Sequence, residues 1–348
     1  MREWRDILAA HRVLAADGKP CALATVVGVE GSAYRRPGAR MLIAEDGRTW
    51  GGVSGGCLER DVAERARGVI AASRSYLHRY DTSDEELIDR GVSTGCGGTI
   101  EVFIQPLTAD AQSPALTQLH RVLTERQPLR LATVIKTPAA NGDQLGRSML
   151  IDSDATDLAG ISVDPSHRWQ RVAAPAGGAE WFVEMLLPPQ RLVIVGGGAD
   201  AVPLVTIAKT LGWHVAVVAA KPALSLATRF SHADERYVTP ADAPLLQVPI
   251  DTRDAVVVMT HNIARDASAL AAMPVRPAYL GLLGPRHRTV RVLAPLPPCH
   301  PATSLHSPVG LDIGSDSPEE IALSIVAQIQ MTIHASRPQR SPLPACRA

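Results

Sequence analysis

The segment Arg191–Val195, RLVIV, followed at once by Gly196-Gly197-Gly198-Ala199-Asp200-Ala201, constrains this chain more than any other stretch. An apolar run bounded by glycines reads as a strand covered on both faces. The period then changes to that of a helix through about Gly212, and a second strand follows at 214–218. Strand, glycine turn, helix and strand in sequence make a βαβ unit, which demands parallel pairing and a right-handed crossover. Further strands are expected at 236–238, 254–259 and 278–283. Ser317-Pro318-Glu319-Glu320 is a capping box with Pro at the first helical position, opening a helix to about His334. Residues 189–336 are therefore expected to form a doubly wound parallel α/β sheet of Rossmann-like type, and 337–348, rich in Pro and Arg, a flexible tail.

The same glycines carry chemistry. Gly196 permits a tight turn, Gly198 lets backbone approach a phosphate, and Ala201 lets the helix sit close to the strand. The helix N-terminus would offer free N–H groups to an anion. The second strand, however, ends in Ala219-Ala220-Lys221, where NAD-binding proteins place an acidic residue for the ribose hydroxyls. Lys221 either meets a 2′-phosphate or is a solvated lysine, so NAD, NADP and no dinucleotide all stay open. Thr260-His261 follows the strand at 254–259, at the strand end where ligands sit in open α/β sheets. His261 is either a ligand or acid–base group or a partner in a helix cap. The arginines of Gly284-Pro285-Arg286-His287-Arg288, at the next strand end, suit phosphate.

Residues 1–188 have a different texture, and they contain a repeat. Residues 20–54 align without a gap on 128–162, at an offset of 108, with 12 identities in 35, including LATV and MLI in one register. This predicts a duplicated β unit inside an α+β domain. In the first copy strands are expected at 21–29, 41–44 and 49–53, with a turn at 45–48 and a helix beginning near residue 58. The repeat also supplies an internal control. Ser32, Arg35, Arg36 and Cys57 belong to the first copy alone; their counterparts are Ala140, Asp143, Gln144 and Pro165. The scaffold needs none of the four, so they reflect either drift in a surface loop or a task performed by one copy.

Five cysteines, at 21, 57, 96, 299 and 346, are too few and too scattered for a disulfide framework in 348 residues. Two sit among glycines. In Ser54-Gly55-Gly56-Cys57 the serine is placed to cap the coming helix, and a thiol in the first turn would gain thiolate character. Thiolate attacks sulfur and binds soft metals. The plainer alternative is a small buried residue beneath a turn. Gly95-Cys96-Gly97-Gly98 leaves room for close approach, or is simply a tight turn into the strand at 99–104. No CxxC or His/Cys quartet suggests structural zinc.

Composition narrows the partners. Thirty-five basic residues cancel 35 acidic ones, and aromatics are 4%, which argues against nucleic acid or an anionic membrane as the natural surface. The N-terminus carries charges at 2, 3, 5 and 6 and no apolar core of a secretory signal, and no window of about 18 apolar residues occurs. A cytoplasmic protein with reduced thiols is expected.

The segments GSAYRRPGARMLI, GGVSGGCLERDV, GCGGTIEVFIQPL, RLVIVGGGADAVPL, VVVMTHNIARDASAL, YLGLLGPRHRT and LHSPVGLDIGSDSPEEIALSIVAQI, in this order over roughly 20–332, resemble the XdhC/CoxI family of xanthine dehydrogenase accessory factors. The resemblance implies an XdhC/CoxI domain followed by a Rossmann domain. It implies a chaperone of molybdopterin-type molybdenum cofactor that supports its sulfuration with a cysteine desulfurase and its insertion into an apo molybdenum hydroxylase, without multiple-turnover chemistry of its own. A homodimer is expected. Carried onto this sequence, Cys57 and Cys96 would contact molybdenum or carry sulfur. Ser54, Gly55, Gly56, Gly95, Gly97, Arg35 and Arg36 would hold the cofactor, and Gly196, Gly198 and His261 a nucleotide. Two departures bear on that nucleotide: Ala220-Lys221-Pro222 stands where the family tends to have Asp-Pro-Arg, and Pro285 where it has Ser. The competing expectation is an NAD(P)-dependent oxidoreductase built on the glycine fingerprint and His261. A nucleotide-transferring enzyme is disfavoured, because no Asp/Glu metal constellation is evident.

Overall fold

The computed structural model describes residues 2–81, 98–107, 113–138, 142, 144–152, 157–158, 161–174, 178–220, 223–297 and 305–334. The chain divides into two compact units, Met1–Pro188 and Pro189–Ala348.

The first unit runs α1 (Arg2–Ala16), β1 (Cys21–Glu30), β2 (Arg40–Ala44), β3 (Thr49–Gly51), α2 (Glu59–Ala72), β4 (Tyr76–Asp81), β5 (Thr99–Leu107), α3 (Pro114–Glu125), β6 (Leu129–Lys136), β7 (Ser148–Ile151), β8 (Asp157–Leu158), β9 (Ile161–Ser162), β10 (Trp169–Ala173) and β11 (Glu180–Leu186). Its sheets are β3-β2-β1-β5-β4, β10-β11-β6-β7 and the small pair β8-β9. β1 is covered on both faces, which is why it reads as a continuous apolar run. Ala22, Ala24 and Val26 meet Val62, Ala66 and Val69 of α2, while Cys21 and Leu23 share a core with Leu131 and Leu186 of the other sheet. Arg40 on β2 and Glu184 on β11 form a buried ion pair between the two sheets.

The repeat is structural. β1 pairs with β2 through Leu23↔Leu42 and Ala24↔Met41, and β6 pairs with β7 through Leu131↔Leu150 and Ala132↔Met149. Each pair is the other shifted by the sequence offset. The first copy's third strand returns as β3, beside β2, whereas the corresponding β8 pairs with β9 instead.

The second unit runs β12 (Arg191–Val195), α4 (Ala201–Thr210), β13 (His214–Ala219), α5 (Ala223–Arg229), β14 (Glu235–Val238), β15 (Ala255–Val258), α6 (Ile263–Ala271), β16 (Tyr279–Leu282), α7 (Arg286–Leu293), β17 (Leu305–His306) and α8 (Pro318–Ile333). Every pairing is parallel, in the order β14-β13-β12-β15-β16-β17. That is the order of the dinucleotide-binding fold, with the reversal between β12 and β15. The Ser317 capping box opens α8 as the sequence predicts, with Ser317 Oγ accepting from the Glu320 N–H and the Glu320 carboxylate accepting from the Ser317 N–H. Among the described residues no helix is long and apolar enough to cross a membrane.

Candidate functional site

In the first unit the loop between β1 and β2 lies against the turn between β3 and α2. A Cβ on Gly55 would come within 3.3 Å of the Tyr34 ring, and one on Gly52 would lie 3.5 Å from Arg35 Nη2 and 3.2 Å from Glu59 Oε1. Arg35, Tyr34, Ser54, Gly55 and Glu59 therefore meet around the turn that carries Cys57. Gly98, where the chain enters β5, is backed against the same loop; a Cβ there would lie 2.6 Å from the carbonyl oxygens of Glu30 and Ser32.

Glu59 organises the turn. Its carboxylate accepts the N–H groups of Ser54 at 2.7 Å and Val53 at 3.1 Å, and the Ser54 hydroxyl donates to it. Burial raises the Glu59 pKa, but these donors and its own backbone N–H outweigh burial and leave it below the ordinary carboxylate value. Ser54 Oγ accepts in turn from Gly56 N at 3.2 Å and Leu58 N at 3.1 Å, and lies 3.4 Å from Cys57 Sγ. Two expectations are corrected here. Ser54 is not the helix cap, because the chain makes a further turn through Gly56, at φ +116°, before α2 begins. Cys57 accordingly precedes the helix rather than standing in its first turn, with Leu58 at the cap position. The thiol is free and half-buried.

The two arginines differ. Arg35 pairs with Glu3 of α1 at 3.0 Å, and Glu3 also accepts the Gly52 N–H at 2.9 Å. Arg35 Nε is buried without a partner. Arg36 is exposed. Glu3, Tyr34 and Glu59 were not singled out by sequence reasoning. An acid in the first helical turn was a usable signal for both Glu59 and Glu3; that Glu3 reaches Gly52, 49 residues away, had no local signal. Cys96, Gly95 and Gly97 lie outside the described residues. Among the described residues no group of three or more His, Cys, Asp or Glu side chains is placed to hold a metal ion.

In the second unit the glycine turn is as tight as its spacing requires. Gly196 has φ +149°, and a Cβ on it would overlap the Met259 carbonyl. At Gly198, however, a Cβ would overlap Asp200 Oδ1. The Asp200 carboxylate has folded back over the very backbone that would approach a phosphate. His261 holds it there: Nε2 lies 2.7 Å from Asp200 Oδ2, with the His261 backbone at φ +59°. His261 does not cap α6, whose cap is Asn262 with its side chain accepting the Arg265 N–H at 3.0 Å; it pairs instead with Asp200, the residue at the cap position of α4. Arg288, expected to face phosphate, is instead bound to the fully buried Asp266 and to the Leu283 carbonyl at 2.9 Å. Asp200, His261, Arg288 and Asp316 edge a cavity of about 380 Å³ with an apolar floor including Met259, Leu283 and Ile325. Lys221 lies outside the described residues.

Known proteins resemble this chain along most of its length. The model of the XdhC and CoxI family matches residues 14–81, and that of the XdhC Rossmann domain matches 192–329. A Bacillus subtilis protein, named as one of the probable subunits of xanthine dehydrogenase, is 32% identical over 91% of this chain and 94% of its own. The Escherichia coli molybdenum cofactor insertion chaperone PaoD is 27% identical over 90% of this chain and 83% of its own. A Bacillus halodurans crystal structure described as a xanthine dehydrogenase superposes with a TM-score of 0.75 at 32% identity, over 97% of this chain and 98% of that one.

Proposed function

Because the chain belongs to the XdhC and CoxI family, we propose that it is a chaperone of molybdopterin-type molybdenum cofactor serving a molybdenum hydroxylase of xanthine dehydrogenase type. The names of its relatives support this reading, since one is named for xanthine dehydrogenase and another is called a molybdenum cofactor insertion chaperone. The observation that carries it is the turn at Cys57: a free, half-buried thiol in a glycine-lined turn held by Glu59, with Arg35 and Arg36 on the loop laid against it. The internal repeat sharpens the point, because the second copy keeps the hairpin and lacks the thiol and both arginines.

The cofactor is cargo here. Its molybdenum arrives already bound to the dithiolene of the pterin, so a site for it needs a soft donor and an anion contact rather than a cluster of protein ligands. Cys57 supplies the soft donor, with Cys96 as its second thiol. Arg36 supplies charge for the pterin phosphate. Arg35, tied to Glu3, orients the loop and adds a second cation. In this proposal the protein works in the cytoplasm, as a homodimer. It receives sulfur through a cysteine desulfurase for the terminal sulfido ligand on molybdenum, and hands the cofactor to the apo-hydroxylase without turnover chemistry of its own.

The rival reading, an NAD(P)-dependent oxidoreductase, is disfavoured by Asp200, which sets a carboxylate where the pyrophosphate would lie. Native mass spectrometry of protein from a molybdenum-replete host tests the proposal. The intact chain should carry cofactor mass, and Cys57→Ala, Cys96→Ala and Arg36→Ala should lose most of it while keeping their thermal midpoints. Full retention in the variants would place the cargo elsewhere.

A further inference from the structure

A second concavity in the first unit lies at the far end of α2 from Cys57. α2 has 14 residues, so the two places stand roughly 20 Å apart at about 1.5 Å per residue. The cleft measures about 580 Å³, within the range of small-molecule sites, and lies between the end of α2, the start of β4 and the end of β6. Its apolar floor includes Val69, Leu77 and Ile135. Arg65, Arg74 and Lys136 stand around it, and among the described residues no carboxylate lines it. Arg65 is partly neutralised by Asp61. Arg74 and Lys136 are exposed and form no ion pair among the described residues. Tyr76, also on the rim, is 44% exposed, with its ring stacked on His78 at a centroid distance of 5.7 Å.

The repeat again acts as a control. Lys136 ends β6 where the first copy has Gly28, beside the Arg171–Glu101 ion pair. The first hairpin therefore carries no cation of its own at this position. Nor does α2 help an anion here, because the end it presents to the cleft is its negative, C-terminal one. Any anion bound in the cleft depends on these side chains.

We propose that this cleft is a second ligand site, for a planar heteroaromatic molecule carrying a phosphate. The ring packs on the apolar floor and Tyr76, and the phosphate meets Arg74 and Lys136, with Arg65 behind them. A nucleoside monophosphate and a phosphorylated pterin share that chemistry. The site is independent of the cargo site at Cys57.

Calorimetry on the full chain distinguishes the two sources, with guanosine monophosphate, neopterin monophosphate, guanosine and inorganic phosphate as probes. At least one phosphorylated probe should bind more tightly than guanosine or phosphate alone, and the tighter of the two identifies the ligand. Its affinity should fall at least tenfold in the double variant Arg74→Ser, Lys136→Gln, and should be unchanged in Cys57→Ala. Both replaced side chains are exposed, so the double variant should keep the thermal midpoint. Tyr76→Ser should weaken the phosphorylated probe and leave inorganic phosphate unaffected. Absence of binding by both phosphorylated probes, or binding that survives the double variant, overturns the proposal.

Discussion

Gly38 and Gly146 hold the same turn in two different hairpins. Their φ angles are +91° and +87°, and their N–H groups donate to the Val26 and Val134 carbonyls at 2.8 and 2.9 Å. The return bonds match as well: Val26 N donates to the Ala39 carbonyl and Val134 N to that of Arg147, both at 2.9 Å. The duplicated part of the chain is thus a turn geometry as well as a set of strands.

Replacing either glycine with valine should cost a comparable amount, about 1–3 kcal/mol, because a β-branched residue at positive φ is strained. The added atoms also meet polar neighbours, Glu184 Oε2 at 3.2 Å from the first Cβ and Ser75 Oγ at 2.7 Å from the second. Denaturant midpoints of Gly38→Val and Gly146→Val measure this. A neutral result for one of them would mean that the two turns are not equivalent.

Glu59 makes a pH prediction. Its folded pKa lies below the ordinary 4.5, so its contribution is present above that value and fades as pH falls through the lower, folded pKa. Glu59→Gln should destabilise the chain by about 1–3 kcal/mol at pH 7, since a half-buried acceptor of several N–H groups loses its charge. The gap between wild type and variant should narrow below about pH 4. A gap independent of pH would assign the loss to packing.

The thiols of Cys21 and Cys57 should separate chemically. Burial in β1 pushes Cys21 up to about 11, whereas Cys57 is half-exposed in its turn. At pH 8 a thiol reagent should label the Cys57 peptide well before the Cys21 peptide, as read by mass mapping. Equal rates would show that the strand opens as readily as the turn.

Asp200 should behave as a built-in competitor. Asp200→Asn removes the carboxylate lying over Gly198 and the charge that faces His261. Binding of NADP or pyrophosphate to this variant should be at least fivefold tighter than to wild type, because repulsion between like charges is removed. Weaker binding would show that Asp200 helps to hold the nucleotide.

Much of this molecule was legible in the chain because the informative signals are local. RLVIV and the glycines after it specify β12 and its turn within a dozen residues. The Ser317 capping box spans four residues, and the repeat announces two hairpins of one register. The helix near residue 58 was placed correctly, but its cap was assigned to Ser54 because a glycine at positive φ, Gly56, inserts a further turn that composition does not reveal. The partners of the sites were not legible at all. Glu3 reaches Gly52 across 49 residues, His261 reaches Asp200 across 61, and Arg40 reaches Glu184 across 144. Strand and helix patterns arise from the periodicity of backbone hydrogen bonding, which neighbouring residues reveal. The pairing of one side chain with another arises from where the packed sheets return the chain. Sequence alone therefore determined the strands, turns and candidate residues, while only tertiary structure decided that Glu59 holds the Cys57 turn and that Asp200 covers the glycine loop.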